Sequence, residues 1–369
     1  MKRYIVVLLY LVLVLGPLLA GVVYSMLYST GSIGLLSKGF SLVAWQNVLT
    51  DDFVKRSFLS TIFVATISLV IGVAAALFVV LKSNWLRRSG IAGIMLHIPL
   101  AFPPMVAAFL MFQLLYKGGL LSRIFYQLGL TTDIADFPGL VNDNLNIGVI
   151  LCMALFVFPF FVVFFVQKME ISGMNRYVTL AASLGAGRYQ TDMKIVIPLL
   201  LRHAWFNIAL YWLILFGNFE IPLILGRQHP AQVSVLIGQK FTKYDLGDLP
   251  EAYAISLLYV LVVLVVFVVF IQKQENTSNM KTKARIRIIV LINLVMIPFV
   301  FLLFLSIAGT WFFPDVLPGY WSLNAWHGLF SGNDFWWVLL KSVVLSSSVA
   351  ILATAMAILH QQAIEQASL

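Results

Sequence analysis

The sequence contains eight apolar stretches long enough to cross a lipid bilayer, at approximately 4–28, 57–81, 91–116, 146–167, 199–225, 252–271, 286–309 and 336–360. A hydrocarbon core of about 30 Å takes about 20 helical residues at about 1.5 Å each, and lipid leaves no backbone amide or carbonyl a partner outside the protein. Repeated stretches of this length therefore predict an all-α, polytopic transmembrane protein. Composition agrees, since 61% of the 369 residues are hydrophobic and 11% are charged, whereas a typical soluble domain is about 25% charged.

The first stretch follows Lys2 and Arg3, which raises a cleaved leader as an alternative to an anchor. Its run, IVVLLYLVLVLGPLLAGVVY, exceeds the roughly 7–15 apolar residues of a signal core, and a retained anchor is expected. The lone cysteine, Cys152, rules out an intramolecular disulfide.

A net charge of +9 does not form a nucleic-acid face, because the basic residues lie in short loops between the spans. Their distribution sets an orientation instead. One side holds Lys2, Arg3, Lys82, Arg87, Arg88, Lys168, Arg176, Arg188, Lys194, Arg202, Lys273, Lys281, Lys283, Arg285 and Arg287, while the other holds Lys38, Lys55, Arg56, Lys117, Arg123, Arg227, Lys240 and Lys243 among most of the acids, including Asp51, Asp52, Asp133, Asp136, Asp143, Asp245, Asp248, Glu251, Asp315 and Asp334. Both termini, and the segment TLAASLGAGRYQTDMKIVIPLL from Thr179 to Leu200, are expected on the cytoplasmic side.

Within that segment, helical spacing places Tyr177, Leu180, Ala181 and Leu184 on one face, with Ala182 and Gly185 removing bulk beside it. Gly185 and Gly187 permit a sharp exit, Arg188, Asp192 and Lys194 keep the return at the wet surface, and Pro198 suits the first turn of the next span. A docking helix and an ordinary amphipathic loop both satisfy these residues.

The order Ala181, Ala182, Ser183, Leu184, Gly185, Ala186, with Pro198 thirteen residues after the glycine, resembles the cytoplasmic E-A-A loop of MetI-like permeases of ABC importers. On that pattern Gly185 takes the glycine, Ala181 the second alanine, and Ile197 with Pro198 the terminal pair; Thr179 stands in place of the glutamate and Leu180 in place of the first alanine. Thr179 retains a hydroxyl that would cap a short helix. The stretch LHIPLAFPPMVAAF, with Pro99, Pro103 and Pro104, and the stretch GNFEIPLILG, from Gly217 to Gly226, resemble the core helix and the exit after the loop in the thiamine, iron(III) and polyamine branch. Prolines inside an apolar span free carbonyls that lipid cannot satisfy, so a helix lining the route or a kink for packing is expected there. Asn218 and Glu220 are candidates for the same path, or for a hydrated helix end.

AWQNVLTDDF near the second span is repeated as AWHGLFSGNDF before the last, pairing Trp45 with Trp326 and Phe53 with Phe335. The expected organisation is one six-helix permease repeat over 1–275 with its coupling loop at 168–198, a charged linker at 276–285, and the start of a second, incomplete repeat over 286–369. The sequence lacks a phosphate-cradling G-x-x-x-x-G-K-[ST] run, and His97, His203, His229, His327 and His360 lack metal-ligand spacing. No catalytic constellation and no cofactor of its own are expected.

The resemblance implies a multi-pass inner-membrane permease subunit that moves a small polar solute or metal complex. It implies three partners: an ATPase dimer that binds ATP on its own subunits and docks on the cytoplasmic loop, a periplasmic solute-binding protein, and a second permease copy. An ion-coupled transporter or channel predicts paired mid-span ionisable groups, and an inactive truncated permease is a further alternative.

Overall fold

The computed structural model describes residues 16–34, 36–37, 39–82, 90–171, 174–243, 245–271 and 319–365. The linker expected at 276–285 and the span expected at 286–309 lie outside the described residues, as does the start of the first span. Fourteen helices are named below in chain order: α1 (Gly16–Ser29), α2 (Val43–Thr50), α3 (Asp52–Lys82), α4 (Gly90–Ala101), α5 (Pro104–Leu115), α6 (Leu120–Gln127), α7 (Ile147–Ile171), α8 (Met174–Ser183), α9 (Arg188–Phe216), α10 (Glu220–Leu225), α11 (Val233–Thr242), α12 (Leu249–Ile271), α13 (Asn324–Ser331) and α14 (Asn333–Glu365). The described residues form an all-helical protein with six segments long and apolar enough to cross a membrane.

The bundle is organised by α3. Its buried side carries Ser57, Thr61, Ala65, Ser68, Gly72 and Ala76, so one narrow face is made of small side chains spaced about one turn apart. Between helices in lipid, where burial of apolar surface supplies little, such a face lets two backbones approach closely enough for dispersion to act along their length. The occupant is α7, and any Cβ added at Gly72 would collide with the Val157 side chain and press on the Phe158 amide. Around this seam Phe161, Phe165, Leu200, Ala204 and Phe216 are fully buried. The Trp212 indole N–H donates to Thr66 Oγ1 at 3.0 Å, and Trp212, Phe216 and Tyr259 stack with centroids 5.1 Å apart at each step. Those contacts tie α9 and α12 to α3.

The stretch read as one span over 91–116 is two helices, α4 and α5, separated at Phe102 and Pro103. Pro103 and Pro104 have no N–H to give the carbonyls of Pro99 and Leu100, and Pro103 disfavours helical geometry at Phe102. The Phe102 amide turns back to the Pro99 carbonyl at 3.4 Å, closing the gap locally. The stretch read as one span over 199–225 also divides. α9 ends at Phe216, the chain turns through Gly217–Phe219, and α10 starts at Glu220 with its Ile221 amide donating to Asn218 Oδ1 at 3.0 Å.

The short helices α2 and α11 gather with α12 at the end of the bundle remote from α8, where Val48, Val54, Val233, Leu236 and Ile255 form a second core. Polar groups close over it: Lys240 pairs with Glu251, Asn47 Nδ2 donates to Glu251 Oε1 at 3.0 Å, and Lys243 meets Asp248 at 2.7 Å. The Asp248 carboxylate that accepts from Lys243 holds that ammonium above the usual lysine range.

The pairs α2–α3 and α13–α14 share one local geometry. An eight-residue helix is followed by a single extended residue, Asp51 at φ −66°, ψ 115° or Gly332 at φ −79°, ψ 120°, and then by a helix of 31 or 33 residues. Their surroundings differ. Trp45 gives its indole N–H to Ser29 Oγ at 3.1 Å and packs on the second core, whereas the membrane-length window of α14 has no buried residue.

The seam predicts an asymmetry between two glycines. Gly72→Ala is expected to lower stability by about 1–3 kcal/mol through overpacking, while Gly21→Ala, which meets nothing within 4 Å in α1, is expected to leave it unchanged or raise it. Thermal unfolding of both variants in detergent checks this.

Candidate functional site

At the end of the bundle where α3, α7 and α9 carry Lys82, Lys168 and Arg188, the chain makes one helical excursion, α8, and returns through a tight turn. Met174, Val178 and Ala181, spaced four and three residues apart, face the bundle; Met174 is fully buried and Ala181 nearly so. Tyr177, Leu180 and Leu184 lie on the adjoining outward side, at 47%, 59% and 86% exposure. Ala181 therefore does not share the face of Tyr177, Leu180 and Leu184, as spacing alone suggested. A residue four positions on is rotated by about 40° and a residue three positions on by about −60°, so Ala181 sits at the boundary where a neighbouring helix covers it. Ala182 is exposed and Ala186 half-buried.

The turn after α8 is a complete Schellman closure. The Ala186 amide donates to the Ala181 carbonyl at 2.9 Å and the Gly185 amide to the Ala182 carbonyl at 3.0 Å, with Gly185 at φ +81°. The left-handed backbone is the reason for a glycine at 185. Gly187, by contrast, is extended at φ −66°, ψ 154° and starts α9, so its expected role in the exit falls to Gly185 alone. Arg188 fastens the return, donating from Nη2 to the Leu81 carbonyl at 3.0 Å.

Two further expectations change. Thr179 is the sixth residue of α8 and exposed, so its hydroxyl does not cap that helix. Pro198 does stand in the first turn of the regular α-helix Ile197–Phe216, but helical winding continues back from it without a break to Arg188. A π-turn over Asp192–Val196 lies immediately before Pro198, and the wider turn accommodates a residue that has neither an N–H to donate nor room for the carbonyl four positions back. Starting the span at Pro198 hid one more turn of exposed apolar surface: Tyr189 is 74% and Met193 47% exposed, next to the free face of α8. Periodicity carried through Gly187 would have found both.

The candidate path residues lie in the interrupted helices. Pro99 is buried inside α4, Pro103 precedes α5 and Pro104 occupies its first turn. Asn218 and Glu220 head α10, which packs along α5 and α7. The structure thus brings the elements of the two breaks together. Asn218 is consumed in holding its own turn, its side chain accepting from Ile221 and its carbonyl accepting from Ser234 Oγ at 2.8 Å. Glu220 Oε2 is buried without a hydrogen-bond partner among the described residues. Those residues contain no group of three His, Cys, Asp or Glu side chains able to hold a metal.

The turn's geometry gives a direct test. Gly185→Val places a β-branched residue in the left-handed region at a cost of roughly 1–2 kcal/mol, and limited trypsin digestion is expected to cut faster at Arg188. Gly185→Asn, which tolerates that backbone, is expected to digest at the parental rate.

Among curated proteins none matches the sequence. Two solved structures resemble the fold. One, described as a bacterial ABC transporter involved in the import of the acidic polysaccharide alginate, aligns with TM-score 0.52 and 17% identity over 72% of this chain and 91% of that one. The other, a bacterial alginate ABC transporter in complex with alginate pentasaccharide-bound periplasmic protein, aligns with TM-score 0.51 and 16% identity over 71% and 88%. Residues 68–275, which include α8, its Schellman turn and both helix breaks, match the family described as the binding-protein-dependent transport system inner membrane component, and the chain belongs to that family.

Proposed function

We propose that this permease moves a small polar solute or metal complex inward, that α8 receives the stroke of a cytoplasmic ATPase dimer, and that a periplasmic binding protein delivers the solute at the opposite end. The observation that carries the reading is the outward apolar face of Tyr177, Leu180 and Leu184 on a helix at the lysine- and arginine-rich end of the bundle. Lipid would cover such a face within the bilayer, but the basic residues around it mark a wet, cytoplasmic surface, where a contiguous apolar patch fits a protein partner. The inner face, Met174, Val178 and Ala181, fixes α8 to the bundle, so force on the outer face reaches α7 and α9. ATP binds and is hydrolysed on the partner in this reading. The repeated geometry of α2–α3 and α13–α14 supports a second repeat beginning near 286, and the exposed length of α14 leaves room for further permease helices or lipid around it.

Burying a leucine side chain contributes about 1.5–3 kcal/mol, and about 1.4 kcal/mol is a factor of ten in affinity. Leu184→Asp is therefore expected to weaken co-purification of the cognate ATPase at least tenfold while membrane insertion is kept. Parental ATPase recovery with this variant overturns the docking assignment.

Sidedness has its own test. In a Cys152→Ala background, Leu130→Cys is expected to react with a membrane-impermeant maleimide in intact cells, and Ser183→Cys only after permeabilisation. The opposite pattern would put α8 out of reach of cytoplasmic ATP.

A further inference from the structure

The loop Arg227–Gln232 joins α10 to α11 at the end of the bundle remote from α8, and both of its ends are fastened to one turn of α3. At its start, the Arg227 amide donates to Asn146 Oδ1 at 3.3 Å, and Asn146 Nδ2 in turn donates to Ser60 Oγ at 3.4 Å. Arg227 Nη1 also reaches Asn144 Oδ1 at 3.3 Å. At its end, the Val233 amide donates to Thr61 Oγ1 at 2.9 Å, and that hydroxyl donates to the Ser57 carbonyl at 2.8 Å. Ser60 and Thr61 are consecutive, so the two anchors converge.

Three polar atoms around these anchors are buried without a hydrogen-bond partner among the described residues: Ser57 Oγ, Arg227 Nε and Gln232 Nε2. Ser57 is 0% and Gln232 3% exposed. All three carry hydrogen, and a buried donor without an acceptor bears the full loss of its hydration. Arg227 has no carboxylate within 4.0 Å among the described residues, whose ion pairs lie elsewhere. The nearby Asp143 is already engaged, its two oxygens accepting from the Leu145 and Ile147 amides. Glu220, with its own unpartnered oxygen, stands at the other end of α10, about 10 Å away along the helix.

The backbone adds to the same polarity. α7 starts beside Asn146 and α11 beside Gln232, so two helices of 25 and 10 residues begin at this loop with the positive ends of their dipoles. Asn146 is held at φ 56°, a left-handed backbone that asparagine tolerates, which keeps its amide between Ser60 and the Arg227 backbone.

We propose that this loop and the facing turn of α3 form a binding site for an oxyanion, a carboxylate or phosphate group, with Arg227 supplying charge and Ser57 and Gln232 supplying neutral donors. The Arg227 guanidinium repels a cation or an ammonium, whereas a group with several acceptor oxygens is drawn to that charge and can accept from the Ser57 hydroxyl and the Gln232 amide. The site is independent of the manner in which α8 meets an ATPase. A solute carboxylate, a free inorganic anion and a lipid phosphate share the required chemistry.

The test uses the full chain in nanodiscs of phosphatidylcholine. Cys152, buried and the only cysteine, reports unfolding through a thiol-reactive dye. Sodium phosphate and sodium acetate are titrated against sodium chloride at constant ionic strength, and a separate set of discs carries phosphatidylglycerol. The expected result is a saturable rise in unfolding temperature with phosphate or acetate but not chloride. Arg227→Gln and Gln232→Leu are expected to raise the half-saturating concentration at least tenfold, and Lys117→Gln, which removes the same charge from the same end of the bundle, to leave it unchanged. Ser57→Ala is expected to unfold at or above the parental temperature without anion and to lose part of the rise with it. A rise with phosphatidylglycerol alone, lost in the same variants, assigns the oxyanion to a lipid headgroup. Equal responses in the parent and all variants, or no response to any of the three probes, overturns the proposal; should Arg227→Gln not fold, Gln232→Leu and Ser57→Ala carry the same comparison.

Discussion

Lipid supplies no hydrogen bonds, and every break within an apolar span of this protein has to be closed by a group of its own. At the proline break, Phe102 returns its amide to Pro99. At the end of α9, the Gly217 amide closes on Leu213 and Asn218 turns its side chain to the Ile221 amide. The Schellman turn at Gly185 does the same for the carbonyls at the end of α8. Against that background the few buried donors without partners are conspicuous, because three of them, on Ser57, Arg227 and Gln232, surround one loop.

The two ends of the bundle are mechanically related through α3 and α7. α3 holds Arg188 at its Leu81 carbonyl and, some 20 residues earlier, holds the Arg227–Gln232 loop through Ser60 and Thr61. α7 meets it at Gly72 with no slack for a side chain. Helices in such close contact respond to a push as one body, so displacement near α8 is delivered to the far loop without bending in between. Movement is left to the interruptions, at Phe102 and at Gly217–Phe219.

The sequence showed the long helices because apolar runs of bilayer length allow little else. It also showed Gly185, because few residues other than glycine follow a helix in the left-handed region. It concealed α2, α6 and α11, whose eight to ten residues are too short and too mixed for a hydropathy search. Division of the spans at 102 and 217 was partly legible: prolines announced the first, and Gly217–Gly226 was read as an exit from the second, but the turn itself was not, since Asn218 acts as a cap only once Ile221 has turned toward it. The sides of α8 were misread at Ala181 since periodicity gives an angle but not the neighbour that fills it. The loop at 227–232 gave no sequence signal, as its donors come from residues 175 apart that only the fold brings together.

The π-turn in α9 has a consequence for phase. Thr191, Val196, Leu200 and Ala204 are all buried, at spacings of five, four and four, so the turn takes up one extra residue and returns the helix to the same azimuth. Were the same residues wound as ordinary α-helix, with none lost, the five steps from Thr191 to Val196 would swing everything before the turn by about 100°. Tyr189 and Met193, now outward beside α8, would then rotate away from Tyr177 and Leu184 while the rest of α9 stayed seated. The apolar surface at this end is thus a composite of two helices held in step by the wider turn, which absorbs a surplus residue that straight α-helix would convert into a rotation.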